Sequence, residues 1–248
     1  MDTIHQIWIG DNPLPTEWID TVKVFAAEYA YKYKLWTDAS LKELRIDEFP
    51  GLKKLYTSFG GELAGRADIL RLLILYKFGG IYIDADTVVM KPEKFHTFLT
   101  KNTSGVFFAW ENLPAARTRK LGLGKIRRLV ANGIMGAERG HPFLRLLLEG
   151  MVENSKNGYV HEAWKLVGPY YITKTYMAVK DDFPDVNIYP MNYFYPRSWA
   201  GIKDPELHKK VRIPAASMLF QYGYSTNRFD KIFKERAKRQ RATRRRYR

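Results

Sequence analysis

Gly79-Gly80-Ile81-Tyr82-Ile83-Asp84-Ala85-Asp86 reads as a buried strand that delivers two carboxylates to one place. Successive side chains alternate faces in an extended strand, so a strand over 81–86 sends Ile81, Ile83 and Ala85 one way and Tyr82, Asp84 and Asp86 the other. Two hard oxygen ligands at the end of such a strand suit Mg²⁺ or Mn²⁺, which in turn holds phosphate oxygens. An isolated Asp-x-Asp is more often just an acidic turn, so the surroundings decide.

Upstream, Leu63, Ala67, Leu70, Ile74 and Phe78 recur at spacings of three and four, which predicts a helix over 62–78 with a core-facing stripe. Gly79 stands where a helix cap glycine belongs, and Gly80 frees the chain to enter the strand. Asp68 and Arg71 share a helical face and, taken alone, make an ordinary surface ion pair. Beside an acidic strand, the same two side chains suit a ribose or sugar hydroxyl and an anionic donor group.

The run Ala67-Asp68-Ile69-Leu70-Arg71, then Leu75-Tyr76, then 79–86, resembles the DXD region of glycosyltransferases related to the yeast initiating α-1,6-mannosyltransferase (family 32-like). More distantly it is similar to the catalytic domains of the large clostridial glucosylating toxins. Ile4-His5-Gln6-Ile7-Trp8-Ile9-Gly10 resembles the family's first strand. Ala131-Asn132-Gly133-Ile134-Met135-Gly136-Ala137, followed by Gly140-His141-Pro142, resembles its middle segment. Val167-Gly168-Pro169 and 189–196 agree more loosely.

The resemblance implies an α/β GT-A (nucleotide-diphospho-sugar transferase) fold with a single Rossmann-like mixed sheet flanked by helices. It implies a UDP- or GDP-sugar donor, Mn²⁺ or Mg²⁺, and retention of anomeric configuration. Carried over by position, Asp86 is the direct metal ligand and Asp84 a ribose contact or a ligand through water. Asp68 and Arg71 bind the donor, with Tyr82 beside them. Trp8 is the aromatic against the nucleobase, although alternation alone makes it a core residue. Asn132 is a sugar contact and Gly168 lies by the cofactor, although Asn132-Gly133 is equally turn chemistry. Where the family carries a histidine near an aromatic Ser-Trp-like pair, this chain has Phe220-Gln221-Tyr222-Gly223-Tyr224-Ser225, which makes the Gln221 carbonyl the candidate third metal ligand.

Composition bounds the rest. A chain of 248 residues, 46% hydrophobic, supports one sizeable core. The expected layout is a transferase domain over 1–227 and a basic tail over 228–248. The absence of cysteine excludes disulfides and thiolate catalysis and fits a cytoplasmic location. No run reaches the roughly 18 apolar residues of a membrane helix, and no signal peptide is read at the start, so a soluble protein with at most peripheral membrane contact is expected. His5, His96, His141, His161 and His208 show no zinc-ligand spacing. Gly122-Leu123-Gly124-Lys125 lacks the rest of a phosphate loop.

Alternating units predict a covered α/β sheet: strands 4–9, 33–37, 81–86, 105–110, 131–137, 186–190 and 212–220, with helices 16–30, 39–58, 62–78, 141–154 and 168–179. In such sheets ligands bind at the carboxyl ends of the strands.

Charge is concentrated. Residues 228–248 carry eleven Lys and Arg against two acids, a net +9 of the chain's +15. Six more basic residues and no acid lie in 117–128, expected as a long loop. Both clusters attract polyanions: an anionic membrane beside a glycolipid acceptor, or DNA through a modified (hydroxymethylated) base. A solvated tail is the plainer alternative. The leading expectation is a metal-dependent retaining transferase acting on a glycan or glycolipid. Its rivals are DNA-base glycosylation and a nucleic-acid binder on an inactive transferase scaffold. A glycoside hydrolase is disfavoured, since it needs carboxylates on opposite sides of the scissile bond.

Overall fold

The computed structural model describes residues 1–113, 115–120, 122–156, 162–197 and 202–246. The strands are β1 (Thr3–Ile7), β2 (Lys32–Trp36), β3 (Gly80–Ile83), β4 (Thr87–Val89), β5 (Val106–Asn112), β6 (Arg128–Ala137), β7 (Val186–Tyr189) and β8 (Leu219–Gln221). The helices are α1 (Thr16–Glu28), α2 (Leu52–Ser58), α3 (Leu63–Phe78), α4 (Pro92–Lys101), α5 (Ala115–Lys120), α6 (Pro142–Lys156), α7 (Ala163–Leu166), α8 (Pro169–Val179), α9 (Leu207–Lys210) and α10 (Phe229–Arg246).

Six strands form one mixed sheet in the order β2-β1-β3-β6-β5-β7, with β6 antiparallel to both its neighbours and the other pairs parallel. Both faces are covered. Tyr82, Val106 and Phe108 meet α3, α6 and α8 in one core, while Ile81, Ile83 and Phe107 meet Phe25 of α1 and Phe95 of α4 in another. This is the single mixed sheet flanked by helices that the resemblance implied. Because β6 runs backwards, the carboxyl ends of β1, β3, β5 and β7 and the start of β6 share one edge.

Helix α3 is apolar beyond one stripe. Ile69 to Leu75 are all buried, because one side packs on the sheet and the other on α2, α6 and α7, while Phe78 at its end is 44% exposed. Gly79 ends it as expected, at φ 66°, with its N–H on the Leu75 carbonyl. Gly80 is required for a second reason: a Cβ there would lie 2.4 Å from the Thr3 carbonyl oxygen of β1.

Three expectations are corrected. The strand of 81–86 stops at Ile83: the Asp84 N–H makes one last in-register bond to the Gly133 carbonyl, and the Thr87 N–H then closes a turn onto the Asp84 carbonyl. Strand β4 then starts a separate two-stranded ribbon with β8. The helical stretch of 39–58 is two 3₁₀ turns followed by α2, broken at Arg45 and Gly51, both of positive φ. The basic stretch 117–128 is not loop throughout, since α5 extends to Lys120. Helices α4 and α10 went unread in the sequence.

The basic segment enters α10 through the core. Phe229 and Phe233 pack edge-on against Trp18 of α1, and Arg236 Nη1 donates to both carboxylate oxygens of Glu17. Residues 247–248 of the expected tail lie outside the described residues. Among the described residues no helix is long and apolar enough to cross a membrane.

Candidate active site

Trp8 follows β1, and Asp84 and Asp86 follow β3, so neighbouring parallel strands deliver all three to the same edge. They line a cleft of about 320 Å³ with Arg71, Tyr82, Asn12, Tyr224, Ser225 and Asp230. Trp8 is half-buried. Its Nε1 donates to the Asn12 carbonyl at 2.9 Å, and its ring meets Tyr224 edge-on at 4.9 Å. It is therefore a wall of the cleft rather than a core residue.

A continuous hydrogen-bond network supports the cleft floor. Arg71 reaches Asp84 Oδ1 at 3.2 Å and Asp68 Oδ1 at 3.5 Å, and donates to the Asn132 carbonyl at 2.8 Å. Asn132 Nδ2 donates to Asp68 Oδ1 at 2.9 Å. Tyr82 donates its hydroxyl to Asp84 Oδ1 at 2.7 Å. The Asp68–Arg71 pair is thus buried, not the surface ion pair that spacing alone suggests. Asp68 and Asn132 stand behind Arg71 and fix its guanidinium. Gly168 lies against Asp68, where a Cβ would come within 2.6 Å of Oδ2.

An irregularity in β6 places Asn132. The strand pairs with β3 over Ile134–Ala137 and with β5 over Arg128–Ala131, and the β5 register shifts between Phe107 and Ala109. Asn132 and Gly133 fall at the break. The Ile134 N–H left there is taken by the Tyr195 hydroxyl at 2.9 Å.

The carboxyl-terminal side of the site comes from β8. Gln221 Nε2 lies 2.7 Å from Asp84 Oδ2 and 3.3 Å from Asp86 Oδ1, and the Tyr224 N–H donates to Asp86 Oδ2 at 2.6 Å. Gln221 therefore acts here as a donor that holds the two carboxylates together, and its amide would have to turn over to offer its carbonyl to a cation. Tyr224 is the contact that sequence reasoning missed. Its signal was the aromatic run 220–224, quoted for position but given no role. Gly133 closes the packing, since a Cβ there would sit 2.7 Å from Asp84 Oδ2.

The electrostatics follow from crowding acids away from water. Burial raises Asp84 above the ordinary carboxylate range, against the pull of Arg71, Tyr82 and Gln221. Burial and the Asp84 charge push Asp86 to about 7. Burial takes Asp68 to about 6 although Arg71 and Asn132 oppose it. Burial works against the Arg71 charge too, and Asp84, Tyr82 and Asp68 more than offset it, so the guanidinium stays charged.

Two facing carboxylates at the edge of a cleft fit a hard divalent cation, since an all-oxygen donor set with excess negative charge is what Mg²⁺ or Mn²⁺ stabilises. Asp84 already accepts from Tyr82, Arg71 and Gln221, which leaves Asp86 the freer ligand. Among the described residues no group of three or more His, Cys, Asp or Glu forms a metal cage. Further ligands would come from substrate phosphate and water, a common arrangement for Mg²⁺. His161 lies outside the described residues.

Comparison with known proteins bears on the segment that carries the paired carboxylates. Residues 15–104 match the family described as "Glycosyltransferase sugar-binding region containing DXD motif". The chain is thus related to the DXD-containing glycosyltransferases, as its motifs suggested. Inositol phosphoceramide mannosyltransferase 3 of Schizosaccharomyces pombe is 33% identical over 142 residues, covering 57% of this chain and 34% of that protein. A mannosyl phosphorylinositol ceramide synthase of Saccharomyces cerevisiae is 27% identical over 180 residues, covering 71% of this chain and 42% of that protein. The chain thus spans well under half the length of these relatives. Among solved structures, the PaToxG glycosyltransferase aligns with a TM-score of 0.49 at 21% identity, covering 74% of this chain and 70% of that one.

Proposed function

We propose that the protein is a metal-dependent, retaining glycosyltransferase that moves a sugar from a nucleotide-sugar donor to a glycolipid or glycan acceptor. The observation that carries this reading is the convergence of Trp8, Arg71, Asp84, Asp86 and Tyr224 on one cleft at the carboxyl edge of β1 and β3. The names of the two yeast relatives, both concerned with inositol phosphoceramides, favour a glycolipid acceptor and a mannosyl donor.

In this reading the nucleobase lies against Trp8 and the diphosphate lies over Asp86. A cation held by Asp86 and Asp84 would supply Lewis-acid stabilisation of the leaving diphosphate. Arg71 is fixed by Asp68 and Asn132 before substrate arrives, so its charge faces the donor without reorganisation. Tyr82 and Gln221 hold Asp84 in place. Retention would follow from front-face attack, in which the acceptor hydroxyl oxygen bonds to the anomeric carbon on the face from which the diphosphate leaves, and the leaving phosphate takes the hydroxyl proton.

The test is a panel of UDP- and GDP-sugars, GDP-mannose among them, assayed with and without Mn²⁺ for released nucleotide. Wild-type protein should turn over one donor in a metal-dependent way. Asp86→Ala should lower that turnover by at least about 10²-fold with the melting curve preserved, and undiminished metal-dependent turnover in the variant would refute the assignment.

A further inference from the structure

A second cleft of about 550 Å³ opens on the same sheet edge, at the ends of β5 and β7 and the start of β6. Trp110, Asn112, Arg128, Asn192, Tyr195 and Arg197 line it. Arg128 lies directly across the ladder from Asn112 and diagonal to Trp110, and its guanidinium sits 4.0 Å from the Trp110 ring centre. The indole holds this charge in one orientation, which lowers the ordering cost of binding an anion. Among the described residues no ion pair involves Arg128 or Arg197. The two guanidiniums and two carboxamides present donors to one space, as a tetrahedral oxyanion needs.

The position of the cleft ties it to the donor site. Arg128 and Asn132 stand four residues apart on β6, about 13 Å of extended strand. Tyr195 forms the partition: it lines the second cleft while its hydroxyl takes the Ile134 N–H, opposite Ile83 and next to the Asp84 turn.

We propose that this cleft is the acceptor site and that it takes an acceptor bearing a phosphate group, with Arg128 and Arg197 on the phosphate. The acceptor role rests on the transferase reading above; the phosphate site rests on its own geometry. The phosphate belongs either to a soluble sugar phosphate or to a lipid headgroup, and both present the same oxygens to the arginines.

The test uses the full chain and the double variant Arg128→Gln/Arg197→Gln, both substituted positions being exposed. Binding of glucose 6-phosphate, with glucose as the neutral control, is measured by calorimetry. Binding of phosphatidylinositol in phosphatidylcholine vesicles is measured by flotation. UDP and GDP binding with Mn²⁺ is followed in parallel. At least a tenfold loss of glucose 6-phosphate affinity in the double variant, with nucleotide binding unchanged, supports a site for soluble phosphates. The same loss seen with vesicles alone supports a headgroup site. Equal binding of both probes by wild type and variant overturns the proposal, as does no binding of either probe by wild type. Loss of nucleotide binding in the double variant also overturns it, since the cleft would then belong to the donor site. A wild type that binds phosphate through these arginines but turns over no nucleotide sugar upholds the phosphate site and refutes the transferase reading.

Discussion

The Asp84–Asp86 cleft and the arginine cleft share one sheet edge, yet they hold their charges in opposite ways. At the ends of β1 and β3, Asp68, Arg71 and Asp86 are buried, and each accepts from or donates to partners fixed by other elements. At the ends of β5 and β7, Arg128 and Arg197 are exposed, and Arg128 is steadied by an aromatic ring rather than by a counter-charge. A buried charge network is costly to assemble and costly to interrupt, while an exposed cation on a ring can be removed with little structural consequence. The comparison therefore predicts that stability is sensitive on one side and insensitive on the other.

The largest effect is expected at Arg71. Arg71→Ala would leave Asp68 and Asp84 facing each other without a cation, and breaking a buried pair in this way costs about 3–5 kcal/mol. Chemical denaturation measures it, and a loss below about 1 kcal/mol would show that the network is far less coupled than its geometry implies.

His5 supplies the next test, through pH. Its Nδ1 accepts from Trp36 Nε1 at 3.2 Å and its Nε2 donates to the Gly79 carbonyl at 3.0 Å, so the neutral imidazole joins β1, β2 and the turn into β3. Burial lowers its pKa to about 4 from an ordinary 6.5. The unfolded chain then binds the extra proton first as pH falls. The contribution is full above pH 6.5, declines as pH drops through the window down to about 4, and amounts to roughly 3 kcal/mol. Because the raised Asp68 and Asp86 titrate over the same range with the opposite sign, the slope is read by denaturation as the difference between wild type and His5→Gln: the stability of the wild type relative to the variant should fall by this amount between pH 7 and 4.

Gly133→Ala comes third. The added methyl meets Asp84 Oδ2 at 2.7 Å and Gln221 Nε2 at 2.8 Å, so an overpacking cost of about 1–3 kcal/mol is expected, with weaker nucleotide binding by calorimetry. The smallest effect belongs to the other cleft. Arg128→Gln/Arg197→Gln should shift stability by no more than about 0.5 kcal/mol. A large loss there would erase the contrast between the two halves.

What was legible in the sequence was local. The cap at Gly79, the α3 helix and the Asp-x-Asp spacing all lie within one stretch of chain, and the alternation of strands and helices forecast the covered sheet. What was not legible was set by distant pairing. The three-residue strand β4 exists because β8 lies beside it. Asn132 was named as a sugar contact, but only the register break in β6 turns it toward Asp68 and Arg71. Helix α10 escaped notice because its charge dominated the reading, although Phe229 and Phe233 mark a face that packs on Trp18.

The β8 contacts also carry a consequence in time. Gln221 lies 137 residues beyond Asp84, and Tyr224 lies 138 beyond Asp86. At a synthesis rate of about 5–20 residues per second, a nascent chain carries Asp84 and Asp86 for roughly 7–30 s before the amide and N–H that hold them have been made. During that interval the emerging polypeptide has the acidic pair and the Trp8 wall but no Tyr224 to close the far side. The cleft is thus completed only after residues 221–224 have been made and have met the Asp84 turn.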